Sequence, residues 1–339
     1  MPTWGQILKE LNASQAPSGR GPDFDGVRRK YLKALSEKTG RAVILYATAW
    51  LESRSIPPPD LQIGLSDIQG LMEAVSNIEE RELDLIIHSP GGSAEAAEAA
   101  VEYIRKRFEH VRVFVPIAAM SAATMIALSA DELVMGQHSQ LGPIDPQFII
   151  SMPEGSRSAP AKAILNQFEL AKEQCRDPAN LAAWIPILRS YAPGLLTQCE
   201  DSRQLAMTMV STWLARYMLA GEARAEQRAK EIAEWFANYE AFRSHGRRVG
   251  PEQVSAVGVK VTPLENDDEL QDAVLSVHHA TMHTFSRTAA AKIVENHHGR
   301  AWVKLSERVD LIMEEARRKE STERPMGRAE RRRQQRGKR

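Results

Sequence analysis

Between Asp84 and Thr124 two short apolar runs end abruptly at small residues, and each is followed by a helical pattern. Leu85, Ile86 and Ile87 stop at Pro90-Gly91-Gly92. Val111, Val113 and Val115 stop just before Ser121. A buried strand that breaks at a tight turn and feeds a helix, twice at short spacing, predicts a parallel α/β sheet with right-handed crossovers. In such sheets ligands bind at the carboxyl ends of the strands, so both turns are candidate parts of one site.

The rest of the chain reads as support and cover. Arg41–Thr48 (RAVILYAT) is strongly β-prone and is expected to be the first core strand. A proline-rich loop spans 53–60, and Ser66 or Asp67 caps a helix with Ile68, Leu71, Met72, Val75 and Ile78 on one face. After the Ser121 helix, Glu132–Met135 starts another strand. From Pro160 to about Phe242 the pattern is nearly all helical, which predicts an insertion over one end of the sheet. Residues 244–264 return to turn and strand, with VGVKV, and 268–290 to helix. The expected organisation is an amino-terminal arm (1–39) packed on the domain or on a neighbouring subunit, a core (40–159), a helical insertion (160–243), a closing part of the core (244–305) and a tail (306–339). From Arg324 to Arg339 that tail carries eight basic residues against one acid, with no apolar stripe, and is expected to be disordered.

Composition removes several function classes. Lys plus Arg and Asp plus Glu number 44 each, so no global field for nucleic acid or membrane is expected, and only the basic tail offers a place for an RNA or acidic partner. No eighteen apolar residues run together and the amino end lacks a signal-peptide pattern, so a cytoplasmic protein without a membrane span is expected. Cys175 and Cys199 have neither the spacing of a zinc site nor that of a disulfide framework. His278, His279, His283, His297 and His298 lack a Glu-containing zinc motif, so no metal is expected. No Gly-x-Gly-x-x-Gly or Walker pattern follows a strand, and no cofactor is expected.

The chemistry-bearing residues cluster at the two turns. The amides of Gly91 and Gly92 can face a cleft without side chains in the way, which suits an oxyanion; in isolation, turn geometry alone would account for the two glycines. Ser121 follows a buried strand and opens a helix between Ala119, Met120, Ala122 and Ala123. That is the arrangement exposing the serine of a nucleophile elbow, although a lone serine there reads as an N-cap. Together the two turns favour a nucleophile beside an oxyanion site.

HSPGG (His88–Gly92), AAMSAATM (Ala118–Met125) and ADELVMGQHSQLGPIDPQ (Ala130–Gln147) resemble the serine dehydrogenase proteinase family, soluble relatives of signal peptide peptidase A within the Clp protease/crotonase superfamily. SHGRRVGPEQVSAVG (Ser244–Gly258) is similar to that superfamily's closing segment, and the similarity runs from about Arg41 to Val303. The resemblance implies a Clp protease/crotonase-like parallel sheet with crossover helices and a helical insertion. It implies an intracellular serine endopeptidase acting on peptides or unfolded proteins through an acyl-enzyme, as a homo-oligomer. Ser121 would be the nucleophile, with the oxyanion held at Gly91, Gly92 and Ala122. Clp proteases use histidine and aspartate as base and orienting group, whereas signal peptide peptidase A relatives use a lysine. The position matching the Clp histidine is Ile144, not His138. Lys162 follows Ser121 by forty-one residues, at the start of the inserted helix, where the lysine group places its base. A neutral amine there can take the serine proton. His245 and His138 are the alternative bases. Two other activities remain open: a crotonase-like acyl-CoA enzyme using the same amides without a covalent serine, and an inactive oligomeric scaffold.

Overall fold

The computed structural model describes residues 3–306 apart from 20, 54, 153 and 154, so the expected basic tail lies outside the described residues. Helices α1 (Trp4–Ala13) and α2 (Phe24–Thr39) lead into β1 (Ala42–Thr48). The short α3 (Pro58–Leu61) and α4 (Asp67–Val75) cross to β2 (Glu82–His88), and α5 (Ala94–Arg107) crosses to β3 (His110–Val115). The two-residue β4 (Ala118–Ala119) precedes α6 (Ala122–Leu128) and β5 (Glu132–Met135). Strand β6 (Gln140–Leu141) pairs with β4, and a hairpin of β7 (Gln147–Met152) and β8 (Gly155–Pro160) opens the helical segment. That segment comprises α7 (Ala161–Gln174), α8 (Leu181–Arg189), α9 (Leu195–Arg216), α10 (Ala225–Phe236) and α11 (Tyr239–Phe242). The chain returns through α12 (Pro251–Ala256), β9 (Val261–Pro263) and α13 (Asp268–Arg287) to a closing hairpin, β10 (Ala290–Asn296) and β11 (Ala301–Leu305).

The main sheet has seven strands in the order β11-β10-β1-β2-β3-β5-β9. From β1 to β9 the pairing is parallel, and β10 runs antiparallel to both of its neighbours. Helices cover both faces, which is why β1 is buried at all seven positions and reads as a continuous apolar run. Val43, Leu45, Ile86 and Phe114 pack with Leu32 and Leu35 of α2 and Val277 of α13. The alternate set, Ile44, Leu85, Ile87 and Val113, packs with α4, α5 and α6 and, beyond them, with Trp213 and Leu214 of α9 and Phe236 of α10. Much of the helical segment therefore joins the core on the side of the Ser121 helix. Helix α1 docks through Ile7 and Leu11 against Val27 and Ala280.

The closing hairpin departs from the sequence expectation of helix up to Ala290. Strand β10 is buried throughout but contains Lys292, Glu295 and Asn296, which break its apolar pattern. Each charge has a partner: Glu295 accepts from Arg28 and Arg29, and Lys292 donates to Asp67. Among the described residues no helix is long and apolar enough to cross a membrane.

Candidate active site

The two turns foreseen in the sequence meet in space. Strand β2 continues past His88, so that Ser89 N–H donates to Ala118 O (3.1 Å) and Met120 N–H donates to Ser89 O (3.0 Å). This bridge lays the Pro90–Gly92 turn against the Met120–Ala122 turn. A Cβ on Gly91 would stand 2.4 Å from Met120 O, 2.7 Å from Ser121 Cβ and 2.9 Å from Ala122 N, so only glycine permits the contact. Ser121 has φ 52° and ψ −119°, a strained conformation for a residue with a side chain, and its side chain makes no cap hydrogen bond to α6. The hydroxyl is therefore not an N-cap. Thr124 braces the turn from one helical turn on: its hydroxyl donates to Ala119 O (2.7 Å) and accepts from Gly142 N–H (3.0 Å).

Two backbone amides beside Ser121 are left over. Ile63 forms a parallel bridge with Gly92, its N–H donating to Gly91 O (2.8 Å) and its carbonyl accepting from Ser93 N–H (3.0 Å). In such a bridge the central residue's own N–H faces the other side. Neither Gly92 N–H nor Ala122 N–H, the first of α6, has an acceptor among the described residues. Gly91 N–H, by contrast, is taken by Ser89 Oγ at 3.2 Å. Of the three oxyanion candidates, then, Gly92 and Ala122 carry unpaired donors, while Gly91 supplies the close approach. Helix α6 has seven residues, so these local amides matter more than any macrodipole.

Residues 27–177 match the ClpP-like SDH-type serine proteinases. The matched span carries both turns and runs from α2 to just past α7, within an α/β fold with a largely parallel sheet, and it includes the HSPGG and AAMSAATM segments. An uncharacterized protein of Methanocaldococcus jannaschii is 35% identical over 135 residues, which is 39% of this chain and 47% of that one. A second from the same organism is 28% identical over 209 residues, covering 60% and 62%. The chain thus spans less than two thirds of the length of these relatives. Among solved structures, a mutant of the 1510-N membrane-bound stomatin-specific protease shares 18% identity at a TM-score of 0.36, over 59% of this chain and 74% of that one. A ClpP1 mutant from Listeria monocytogenes shares 15% at 0.31, over 70% and 99%.

Around the two turns the three candidate bases occupy different surroundings. Lys162, in the first turn of α7, lines a cleft of about 350 Å³ with Arg203, Glu234, Tyr239 and Glu240. Its helix is tied to the LGPIDP segment by Ala161 N–H donating to Pro146 O (2.9 Å). His245 is half-buried, and its Nδ1 lies 2.8 Å from Oδ1 of the buried Asp145. With a carboxylate as acceptor, Nδ1–H is the donor of this pair. Gln147 Nε2 donates to the other oxygen of Asp145 (2.8 Å). An isolated antiparallel bridge between Leu141 and Val249 brings the two segments that carry Asp145 and His245 together. His138 is exposed on the turn after β5, beside Gly136. Ser121 Oγ makes no hydrogen bond to Lys162, His245 or His138. Asp145 is the residue that sequence reasoning did not weigh, although it stands in the LGPID motif.

The remaining histidines serve other ends. His88, directly before Ser89, is fully buried, and its ring lies 5.8 Å from that of Trp50 and 5.2 Å from that of His278. Burial pushes its pKa down to about 4, with the Ala118 carbonyl acting weakly the other way, and neither ring nitrogen has a well-formed hydrogen bond. It is neutral at ordinary pH. His283 receives α1, its ring on Trp4 (3.8 Å) and its Nε2 3.0 Å from Trp4 O. Glu80, His297 and His298 have donor atoms within 4.8 Å of one another. His297 Nδ1 lies 3.1 Å from Val43 N and its Nε2 3.4 Å from Glu80 Oε1, so the ring is already engaged by the backbone on one side and by Glu80 on the other.

Proposed function

We propose that this chain is a serine endopeptidase that cleaves peptides or unfolded proteins through an acyl-enzyme on Ser121. The observation that carries the reading is a strained serine whose hydroxyl caps nothing, set beside two amides without acceptors. Ser121 Oγ attacks the peptide carbonyl carbon while a base takes its proton. The carbonyl oxygen, now negative, accepts from Gly92 and Ala122 N–H. The intermediate collapses with cleavage of the C–N bond, the protonated base passes its proton to the leaving amine, and water then hydrolyses the ester by the same route. Two preorganised donors of this kind contribute about 3–4 kcal/mol each in comparable sites.

The proposed base is Lys162. Its support is the spacing from Ser121 and the tie between α7 and the segment that borders the Ser121 turn. A second reading has a specific observation behind it: the His245–Asp145 pair has the base-and-orienter geometry of a triad. The two separate in the pH profile of peptide cleavage by Lys162→Ala and His245→Ala. The dyad reading expects Lys162→Ala to abolish turnover and His245→Ala to retain it; the reverse pattern replaces Lys162 by His245. Peptides cut by the wild type and spared by Ser121→Ala support the peptidase reading. Turnover of acyl-CoA thioesters that survives Ser121→Ala would replace it with crotonase-like chemistry. We also place the protein in the cytoplasm as a homo-oligomer, with the exposed apolar side chains Ile149, Leu181 and Ile185 as contact surface. Light scattering that finds a monomer at micromolar concentration would refute the oligomer.

A further inference from the structure

The Gly92 amide is aimed by Ile63, and Ile63 is itself gripped from both sides by a buried ion pair. Lys292 Nζ donates to both carboxylate oxygens of Asp67 (2.8 and 2.7 Å) and to the carbonyl of Gln62 (2.7 Å), which uses all three ammonium protons. Asp67 Oδ2 accepts in addition from Gly64 N–H (3.0 Å) and from the Tyr46 hydroxyl (2.6 Å). The residue before Ile63 is thus held through its carbonyl and the residue after it through its amide. The Lys292 and Asp67 side chains are 1% and 3% exposed, and Tyr46 is equally sequestered in the core. Burial and the Asp67 carboxylate push the Tyr46 phenol well above its ordinary pKa, so it stays a donor.

A buried ion pair is poor value as a stabiliser. Desolvation offsets most of its attraction, and apolar residues of the same volume often do as well. What apolar residues could not do is hold a backbone carbonyl and a backbone amide one residue apart. Gly92 needs that hold because it approaches so closely: a Cβ there would stand 2.3 Å from Ile63 O and 2.4 Å from Ile63 N. Any drift of residues 62–64 is transmitted directly to the amide beside Ser121.

We propose that Lys292, Asp67 and Tyr46 are positioning residues for acyl transfer, holding Gln62–Gly64 so that the Gly92 N–H stays directed at the developing oxyanion. They touch no reacting atom. The proposal rests on the oxyanion role of Gly92 put forward above.

The test uses the double variant Lys292→Met/Asp67→Asn, which leaves no buried charge unpaired, and Tyr46→Phe, which removes a single hydroxyl. Both are compared with Glu295→Gln, which breaks a buried ion pair on the opposite face of the same strand. The double variant is expected to lose about 10-fold to 100-fold in kcat for peptide cleavage with KM within twofold, the size of loss that follows from sub-ångström misplacement. Tyr46→Phe loses a few-fold in the same direction, and Glu295→Gln keeps kcat whatever stability it loses. Hydrogen exchange supplies a readout independent of turnover: the Ile63 and Ser93 amides exchange at least 10-fold faster in the double variant and at wild-type rates in Glu295→Gln. Wild-type exchange at Ile63 and Ser93 in both folded variants overturns the proposal, as does faster exchange with unchanged kcat. If the double variant does not fold, Tyr46→Phe decides by the same two readouts. An inactive wild type would sink the peptidase reading instead, and the exchange rates would still decide whether the ion pair holds the turn.

Discussion

A single methyl group placed on Gly91 probes the meeting of the two turns. Ordinary contacts of a Cβ begin at 3.4 Å, whereas the added carbon would lie 2.4 Å from Met120 O and 2.9 Å from Ala122 N. The Ser121 turn must therefore retreat by roughly 0.5–1 Å, since 3.4 less 2.9 is 0.5 and 3.4 less 2.4 is 1.0. Displacement of that size between a nucleophile and its oxyanion donors costs about 100-fold in rate. Gly91 also has φ +93°, so alanine adds backbone strain of about 1–3 kcal/mol. Gly194 is the matched control, with φ +81° and nothing within 4 Å of its would-be Cβ. Gly194→Ala should lose stability in urea through backbone strain alone and Gly91→Ala should lose more through the added clash, but only Gly91→Ala, while still folded, should lose about two orders of magnitude in peptide cleavage. Equal cleavage rates for the two folded variants would refute the idea that Gly91 exists to let the turns touch.

Two further outcomes concern stability. His88 is neutral in the fold with a pKa near 4 and titrates at about 6.5 when unfolded, so below pH 6.5 the unfolded state binds more protons and stability falls until about pH 4. At 1.36 kcal/mol per unit the loss is about 3 kcal/mol in all, of which about 2 kcal/mol falls between pH 7 and pH 5; urea unfolding of His88→Leu should show a correspondingly flatter pH dependence. His278, lowered by burial and by His88, acts with the same sign. Separately, Glu295→Ala leaves the fully buried Arg28 with the exposed Asp25 as its ion-pair partner and should cost about 2–3 kcal/mol in urea unfolding, whereas a surface pair such as Arg81–Glu109 should be worth less than about 1 kcal/mol.

The strand-turn-helix units were legible because their chemistry is local: apolar runs stop at glycines or at a serine among alanines, and β2, β3 and α6 lie within a few residues of their expected bounds. Strand β10 was not legible, since Lys292 and Glu295 break its pattern and their partners, Asp67 and Arg28, are more than two hundred residues away. Asp67 was read as a helix cap; it opens α4 but spends its carboxylate on Lys292, Tyr46 and Gly64. Ser121 shows the reverse case. Sequence could not tell whether its hydroxyl caps the helix, and a φ of 52° with no cap bond shows that it does not. The pairing of His245 with Asp145 spans one hundred residues, and only the return of the chain at Val249 brings the two motifs together.

The most direct test of the central claim is intact-mass measurement after exposure to a fluorophosphonate. A single adduct that maps to Ser121, and that is absent from a folded Ser121→Ala protein, is the predicted result. No adduct at any pH from 5 to 10, or an adduct that persists in Ser121→Ala, would contradict a nucleophilic serine between the Gly92 and Ala122 amides.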